Sequence, residues 1–189
     1  MEEHMGLENI KKKVLDDVDP VRIRARKREM RKQRILTILE ILAVFLLVGL
    51  GFYWYMGMSS VSGDSMYPSL HDGDIVFYRR HNSEYKQGDV VAIVRPNGEE
   101  YVKRVIAIAG DTVNIQNGEV YVNGNLVETK EALGKTTAMS EDVSYPLVVG
   151  DKEVFVLGDN RGISKDSREF GTVKVSDIKG KILWYLGKM

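Results

Sequence analysis

The apolar and polar positions follow two different patterns along this chain. From Ile35 to Met58 the sequence ILTILEILAVFLLVGLGFYWYMGM is apolar almost throughout, and from Ile41 onward it carries no charge. That uncharged stretch is about the length a helix needs to cross a ~30 Å hydrocarbon core, so one membrane-spanning helix over 35–58 is predicted. Glu40 lies near its start, within reach of headgroups or of Lys32 and Arg34. Phe52, Tyr53, Trp54 and Tyr55 cluster at the far end, as an interfacial aromatic belt does.

After Ser59 the pattern changes to short runs rich in Val, Ile and Tyr, bounded by Gly, Asn, Asp and Pro. Strands are predicted at Asp74–Tyr78, Asp89–Val94, Tyr101–Ala109, Glu119–Val122, Val154–Leu157 and Lys181–Tyr185. Pro96-Asn97-Gly98, Gln116-Asn117-Gly118 and Asn123-Gly124 supply hairpin turns, because Asn-Gly tolerates the positive φ such turns require. Lys130–Tyr145 lacks sustained periodicity and reads as a surface excursion. The segment 59–189 is therefore a mainly β domain, with about 112–153 forming a small β-hairpin insertion.

Composition adds polarity to this division. The 189 residues carry 27 basic and 27 acidic side chains, yet Arg22, Arg24, Arg26, Lys27, Arg28, Arg31, Lys32 and Arg34 crowd together just before the apolar run. A basic cluster can bind nucleic acid. Directly before an apolar span it reads instead as a cytoplasmic flank, which puts residues 1–34 inside the cell and everything after Met58 outside. Residues 1–21 read as a short polar tail with Pro20 as a breaker. A cleaved signal peptide is the competing reading, but its apolar core would be shorter and no clean small-x-small site follows Met58. With no cysteine, disulfides, thiolate nucleophiles and Cys-ligated metals are excluded.

Two segments carry candidate chemistry: Ser62-Gly63-Asp64-Ser65-Met66-Tyr67-Pro68-Ser69-Leu70 and Tyr101-Val102-Lys103-Arg104-Val105. They suggest Ser65 as a nucleophile and Lys103 as its base. A lysine works as a base only when neutral near pH 7, which requires a large downward shift from about 10.4, and burial supplies one. Lys103 lies within the strongly apolar segment Val102–Ala109 and shares a face with Tyr101, Val105 and Ala107 by alternation. Taken alone, Lys103 reads first as an edge-strand lysine reaching solvent and Ser65 as an ordinary turn serine. None of the three histidines, His4, His71 and His81, is placed to complete a Ser-His-Asp triad.

Several ordered segments decide between these readings. Ser65 to Leu70, Gly73-Asp74-Ile75-Val76, Gly88-Asp89-Val90-Val91, Tyr101 to Val105 with Gly110-Asp111, and Gly158-Asp159-Asn160-Arg161 through Ser164 to Asp166-Ser167-Arg168 closely resemble the successive boxes of type I bacterial signal peptidases. The short connection from Asp111 to Val154 and the single anchor resemble the compact Gram-positive form. The resemblance implies a coiled antiparallel β-sheet, a partly open barrel-like protease domain following one N-terminal transmembrane helix. It implies Ser65 as nucleophile, Lys103 as general base and the Ser65 backbone N–H as oxyanion donor. Many relatives carry a serine at the position of Gly63 that adds a hydroxyl to that hole; here the side chain is missing, and Ser62 is a neighbour without an assigned role. Ser164 matches the serine that orients the lysine amine. Asp166, Arg168 and Arg104 match a structural charge cluster, with Asp159 supporting the loop that carries Ser164. No cofactor and no metal are implied.

Location gives an independent argument. About seven residues separate Met58 from Ser65, spanning at most roughly 25 Å, so the nucleophile stays near the outer leaflet. A partner whose own apolar helix ends at that height would present its next residues in extended form, as the signal peptide of a secretory preprotein does, with small residues at the positions called −1 and −3. The peptide would add as a strand beside Ser65 and Lys103, with Met66 and Val102 as candidate pocket walls. The partners expected are therefore signal peptides and the lipid bilayer, not nucleic acid or metal. The alternatives are a Ser/Lys self-cleaving regulator, which should carry a helix-turn-helix in place of the spanning run, and a non-catalytic anchored β-domain.

Overall fold

The computed structural model describes Leu15, residues 20–81 and residues 84–187. The expectations for residues 1–14 and 16–19 of the polar tail lie outside the described residues. The chain forms two compact units, one ending at Gly51 and one running from Phe52.

Helix α1 is Pro20–Tyr55, 36 residues and roughly 54 Å long at 1.5 Å per residue. Pro20, expected as a breaker, instead opens this helix; at the first helical position its missing N–H has no intrahelical partner to lose. The basic cluster and the apolar run therefore lie on one continuous helix. None of its residues is buried, and among the described residues it is the one helix long and apolar enough to cross a membrane. The helix ends at Tyr55, three residues before the expected limit at Met58. Met56–Ser60 form strand β1, which pairs from Met56↔Arg79 to Ser60↔Ile75, and the sheet thus begins before Ser59. Gly57, a poor helix former, makes this switch possible: the Tyr78 ring lies against it, and a Cβ there would stand 2.2 Å from Tyr78 Cε2.

The second unit is mainly β. Its larger sheet contains β1, β2 (Ile75–Arg79), β3 (Val90–Val94), β4 (Glu100–Ile108), β9 (Glu153–Leu157), β10 (Val173–Lys174) and β11 (Ile178–Leu186). These seven strands curl in the order β1-β2-β11-β3-β4-β9-β10, every neighbouring pair antiparallel. The last strand in sequence thus sits inside the sheet, between β2 and β3.

The segment expected as a small hairpin insertion holds a second, four-stranded sheet. Its order is β7 (Asn125–Leu126), β6 (Glu119–Val122), β5 (Thr112–Gln116), β8 (Leu147–Val148). Asn117 and Gly118, and then Asn123 and Gly124, all have positive φ, as the Asn-Gly hairpin turns require. This sheet shares a core with the large one: Val113, Val120 and Val149 pack with Ile106, Ala107, Phe155 and Leu157. The stretch Lys130–Tyr145 is more than a surface excursion, since Thr136 and Val143 are buried and Leu133 bridges to Asn160.

A bulge in β4 between Val105 and Ala107 interrupts the strict alternation expected for that strand. Val105 consequently packs with Val91, Ile93 and Val156, whereas Ala107 joins the core of the second sheet. One strand thereby serves two hydrophobic layers, which the extra residue of a bulge permits.

Candidate active site

Ser65 follows β1 in a tight turn whose frame is backbone hydrogen bonding. Val61 N donates to Asp74 O at 2.8 Å, Gly73 N to Val61 O at 2.9 Å and Tyr67 N to Asp64 O at 3.1 Å. From the other side, Asn160 N donates to Ser65 O at 3.0 Å. The loop after β9 therefore grips the backbone of the candidate nucleophile directly. Gly158 makes this close approach possible, because a Cβ there would lie 2.5 Å from Ser65 O and 2.1 Å from Ser164 Oγ. The Ser65 N–H itself has no hydrogen-bond partner among the described residues.

Lys103 stands in β4, flanked by β3 on one side. It is 1% exposed, which rules out the solvent-reaching edge lysine. Its Nζ donates to Ser65 Oγ at 2.8 Å and to Val102 O at 2.9 Å, and lies 5.3 Å from the centroid of the Tyr101 ring. Burial holds the amine down from the ordinary 10.5 to about 8, and the negative charges of Asp166 and Asp159 only partly oppose that effect.

The expected charge cluster is in fact two separate nodes. In the first, Arg168 Nε and Nη2 bind the two oxygens of Asp166 at 2.8 and 2.9 Å, while Gly158 N donates to Asp166 Oδ2 at 3.0 Å. Arg168 Nη2 also donates to Arg161 O at 2.8 Å and Ser164 O at 3.3 Å, tying the loop to the short helix α2 (Ser167–Phe170) that Asp166 caps. In the second node, Arg104 Nε and Nη2 bind Asp159 Oδ1 and Oδ2 at 2.8 and 2.7 Å, and Ser69 Oγ donates to Asp159 Oδ2 at 2.6 Å. Asp159 therefore joins the segment carrying Ser65 to the strand carrying Lys103, a wider task than supporting the Ser164 loop.

Three further expectations change. Ser164 is fully buried, but its Oγ has no hydrogen-bond partner among the described residues and so does not hold the lysine amine. Met66 is 0% exposed and packs with Val61, Leu70 and Val76 in the core; it is not on the open wall of the cleft, because the residue after Ser65 turns inward. Val102 does line that cleft. The cleft measures about 50 Å³ and is bounded by Ser59, Ser60, Val61, Ser62, Ser65, Ala92 and Glu100 together with Tyr101, Val102 and Lys103. At Gly63, φ is +79° and the N–H donates to Asp72 Oδ1 at 2.8 Å, so that amide is already engaged.

Sequence reasoning missed Ser69, Asp72 and the partners of Arg161. The Arg161 guanidinium donates to Gly158 O at 3.0 Å, to Thr129 Oγ1 at 3.4 Å and to Thr136 Oγ1. Ser69 lay inside a recognised motif without a visible partner, and nothing local marks Thr129 or Thr136 as contacts of a residue some thirty positions away.

Ser65 Oγ thus touches a buried amine that burial holds at about 8, a geometry in which a lysine can take a proton from a serine hydroxyl. Residues 33–186 match the family described as signal peptidase, peptidase S26. The chain is 40% identical to signal peptidase I S of Bacillus subtilis over 57% of its own length and 64% of that relative's. It is 31% identical to signal peptidase IB of Staphylococcus aureus, covering 81% of this chain and 89% of that one. It thus spans a little under two thirds of the Bacillus subtilis relative. A crystal structure of a signal peptidase I from Enterococcus faecalis is 26% identical, covering 55% of this chain and 100% of that chain with a TM-score of 0.44. The chain belongs to the peptidase S26 signal peptidase family.

Proposed function

We propose that this protein is a membrane-anchored serine endopeptidase that removes signal peptides from secreted precursors. The observation that carries the reading is the 2.8 Å contact between Ser65 Oγ and a lysine amine that burial holds at about 8. When Lys103 is neutral the contact reverses: Ser65 donates to the amine lone pair, and its oxygen attacks the scissile carbonyl. The unengaged Ser65 N–H stabilises the oxyanion. Lys103 then returns the proton to the departing amine, and a water activated by the same lysine hydrolyses the acyl-enzyme. We assign Ser164 to shaping the surroundings of the dyad, and Asp159, Arg104, Asp166 and Arg168 to holding the two catalytic segments together.

The substrate reading rests on the cleft. Residues 100–103 of β4 pair with β3 on one side, while β9 begins pairing only at Arg104; β1 pairs with β2 alone. Two open strand edges thus flank the cleft, as strand addition by an extended peptide requires. Its small volume suits small side chains near the cut, and Ser59, Ser60, Ser62 and Ala92 lie among its walls beside Val61 and Val102. The exposed apolar α1 supports a single-pass anchor, and the basic residues at its start support a cytoplasmic N-terminus with the β unit outside.

Cleavage of a secretory precursor in lipid–detergent micelles tests this, with the cut located by mass spectrometry. Wild type should cut after a small-x-small site, and Ser65→Ala and Lys103→Ala should not. Cleavage that survives Ser65→Ala would overturn the assignment.

A further inference from the structure

Where α1 gives way to β1, Arg80 closes the helix. Its N–H donates to Tyr55 O at 2.9 Å and its Nε to Met56 O at 3.1 Å. A helix C-terminus leaves carbonyls unsatisfied and carries partial negative charge, so a guanidinium is favourable there. The guanidinium carbon lies 5.8 Å from the centroid of the Tyr53 ring and 5.9 Å from that of Tyr78. The next residue, His81, stacks on Trp54 at 5.5 Å and 20°.

Beside this collar is an open pocket of about 420 Å³ lined by Tyr78, Arg80, His81, Ile178 and Lys179. None of the lining residues is acidic. Among the described residues, Arg80 forms no ion pair with a carboxylate, and its Nη1 and Nη2 make no hydrogen bond. Lys179 pairs with Glu100, which leaves two of its three amine donors to turn toward the pocket. Chain connectivity fixes the depth: Arg80 caps the final turn of the apolar helix, among the aromatic residues at its end.

We propose that this pocket holds the phosphate of an anionic phospholipid headgroup of the outer leaflet. A guanidinium fork and a lysine lining one cavity suit a phosphate. Tyr53 and Trp54 sit at the level where aromatic rings meet headgroups. Free phosphate shares this chemistry, but the lipid is confined to the leaflet beside the pocket. The inference rests on the anchored reading of α1 given above.

The test is photolabelling of the full chain in nanodiscs by phosphatidylglycerol with a photoreactive headgroup, mapped by mass spectrometry. Label is expected on residues 78–81 and 178–179, in addition to any on the basic stretch Arg22–Arg34. In the double variant Arg80→Gln/Lys179→Gln the first set should fall about tenfold, the scale of one lost charge-assisted hydrogen bond, while label at Arg22–Arg34 persists. Arg80→Lys should keep most of it. Should the double variant unfold, as circular dichroism would show, Lys179→Gln alone carries the test with a several-fold fall expected. Unchanged label in the variants, equal label from a phosphatidylcholine probe, or displacement by excess inorganic phosphate would each overturn the proposal. Precursor cleavage by wild type in the same discs keeps the two readings apart. Label without cleavage removes the peptidase and leaves the lipid site; cleavage without label does the reverse.

Discussion

Lys103 and Arg168 are both 1% exposed, yet the molecule treats the two cations in opposite ways. Arg168 meets a carboxylate with two parallel hydrogen bonds and spends a further donor on backbone carbonyls, so its charge is matched inside the protein. Lys103 is given a hydroxyl and one carbonyl, with no carboxylate among the described residues in ion-pair contact. The first arrangement is a fastening, because removing either partner strands a buried charge. The second leaves the cation under-compensated, so the proton is held loosely, as the proposed role of base requires. What separates the fastening from the proposed base here is the partner, not the depth of burial.

The comparison breaks first at Lys103. Lys103→Ala and Ser65→Ala should each lower kcat/KM by at least about 10⁴-fold, a scale seen when a member of a nucleophile–base unit is removed. Lys103→Arg should do the same, since arginine keeps its proton; substantial turnover in that variant would disqualify the lysine as base.

Next in size is the fastening. Asp166→Ala should destabilise the β unit by about 3–5 kcal/mol by leaving the Arg168 charge buried and alone. Thermal unfolding would register this as a fall of roughly 10–20 °C, whereas a shift of only a few degrees would mean that water repairs the gap.

Lys103→Met should move stability the other way. The unfolded lysine keeps its proton to 10.5 and the folded one releases it at about 8. Between those values the unfolded state binds more protons, so wild-type stability rises with pH there. Below pH 8 the buried amine therefore costs about 3 kcal/mol. The methionine variant should be the more stable protein at pH 7, with an advantage that shrinks as pH rises from 8 to 10.5. Chemical denaturation at two pH values measures it, and an advantage that does not change with pH would refute the cause.

The same titration sets the activity profile. With Lys103 at about 8, about one tenth of the enzyme carries a neutral amine at pH 7, so kcat/KM should rise about tenfold toward pH 9 and then level. A flat profile across that range would sink the assignment. The smallest effect belongs to Ser164→Ala. Because its hydroxyl has no partner among the described residues, the melting temperature should stay within roughly 3 °C of wild type. A loss of kcat/KM beyond about tenfold would show that this hydroxyl turns to the amine once substrate is bound.

What was legible in the chain was local or ordered. The apolar run, the Asn-Gly turns, the strand patterns and the boxes around Ser65, Lys103 and Gly158 depend on residues close in sequence, where periodicity and turn chemistry act directly. Tertiary structure alone decided the rest. It ended the helix at Tyr55 because β1 found a partner in β2, and it moved Ala107 into a second core through a bulge. It divided one apparent charge cluster into the pairs Asp166–Arg168 and Arg104–Asp159. Side-chain partnership among buried polar groups is set by which strands and loops meet, and the hydrogen-bond energies that choose between such partners have no signature in sequence spacing. The sequence by itself determined that a serine and a lysine could form a dyad. Only the fold decided that the lysine would be buried against that serine without a carboxylate to hold its proton.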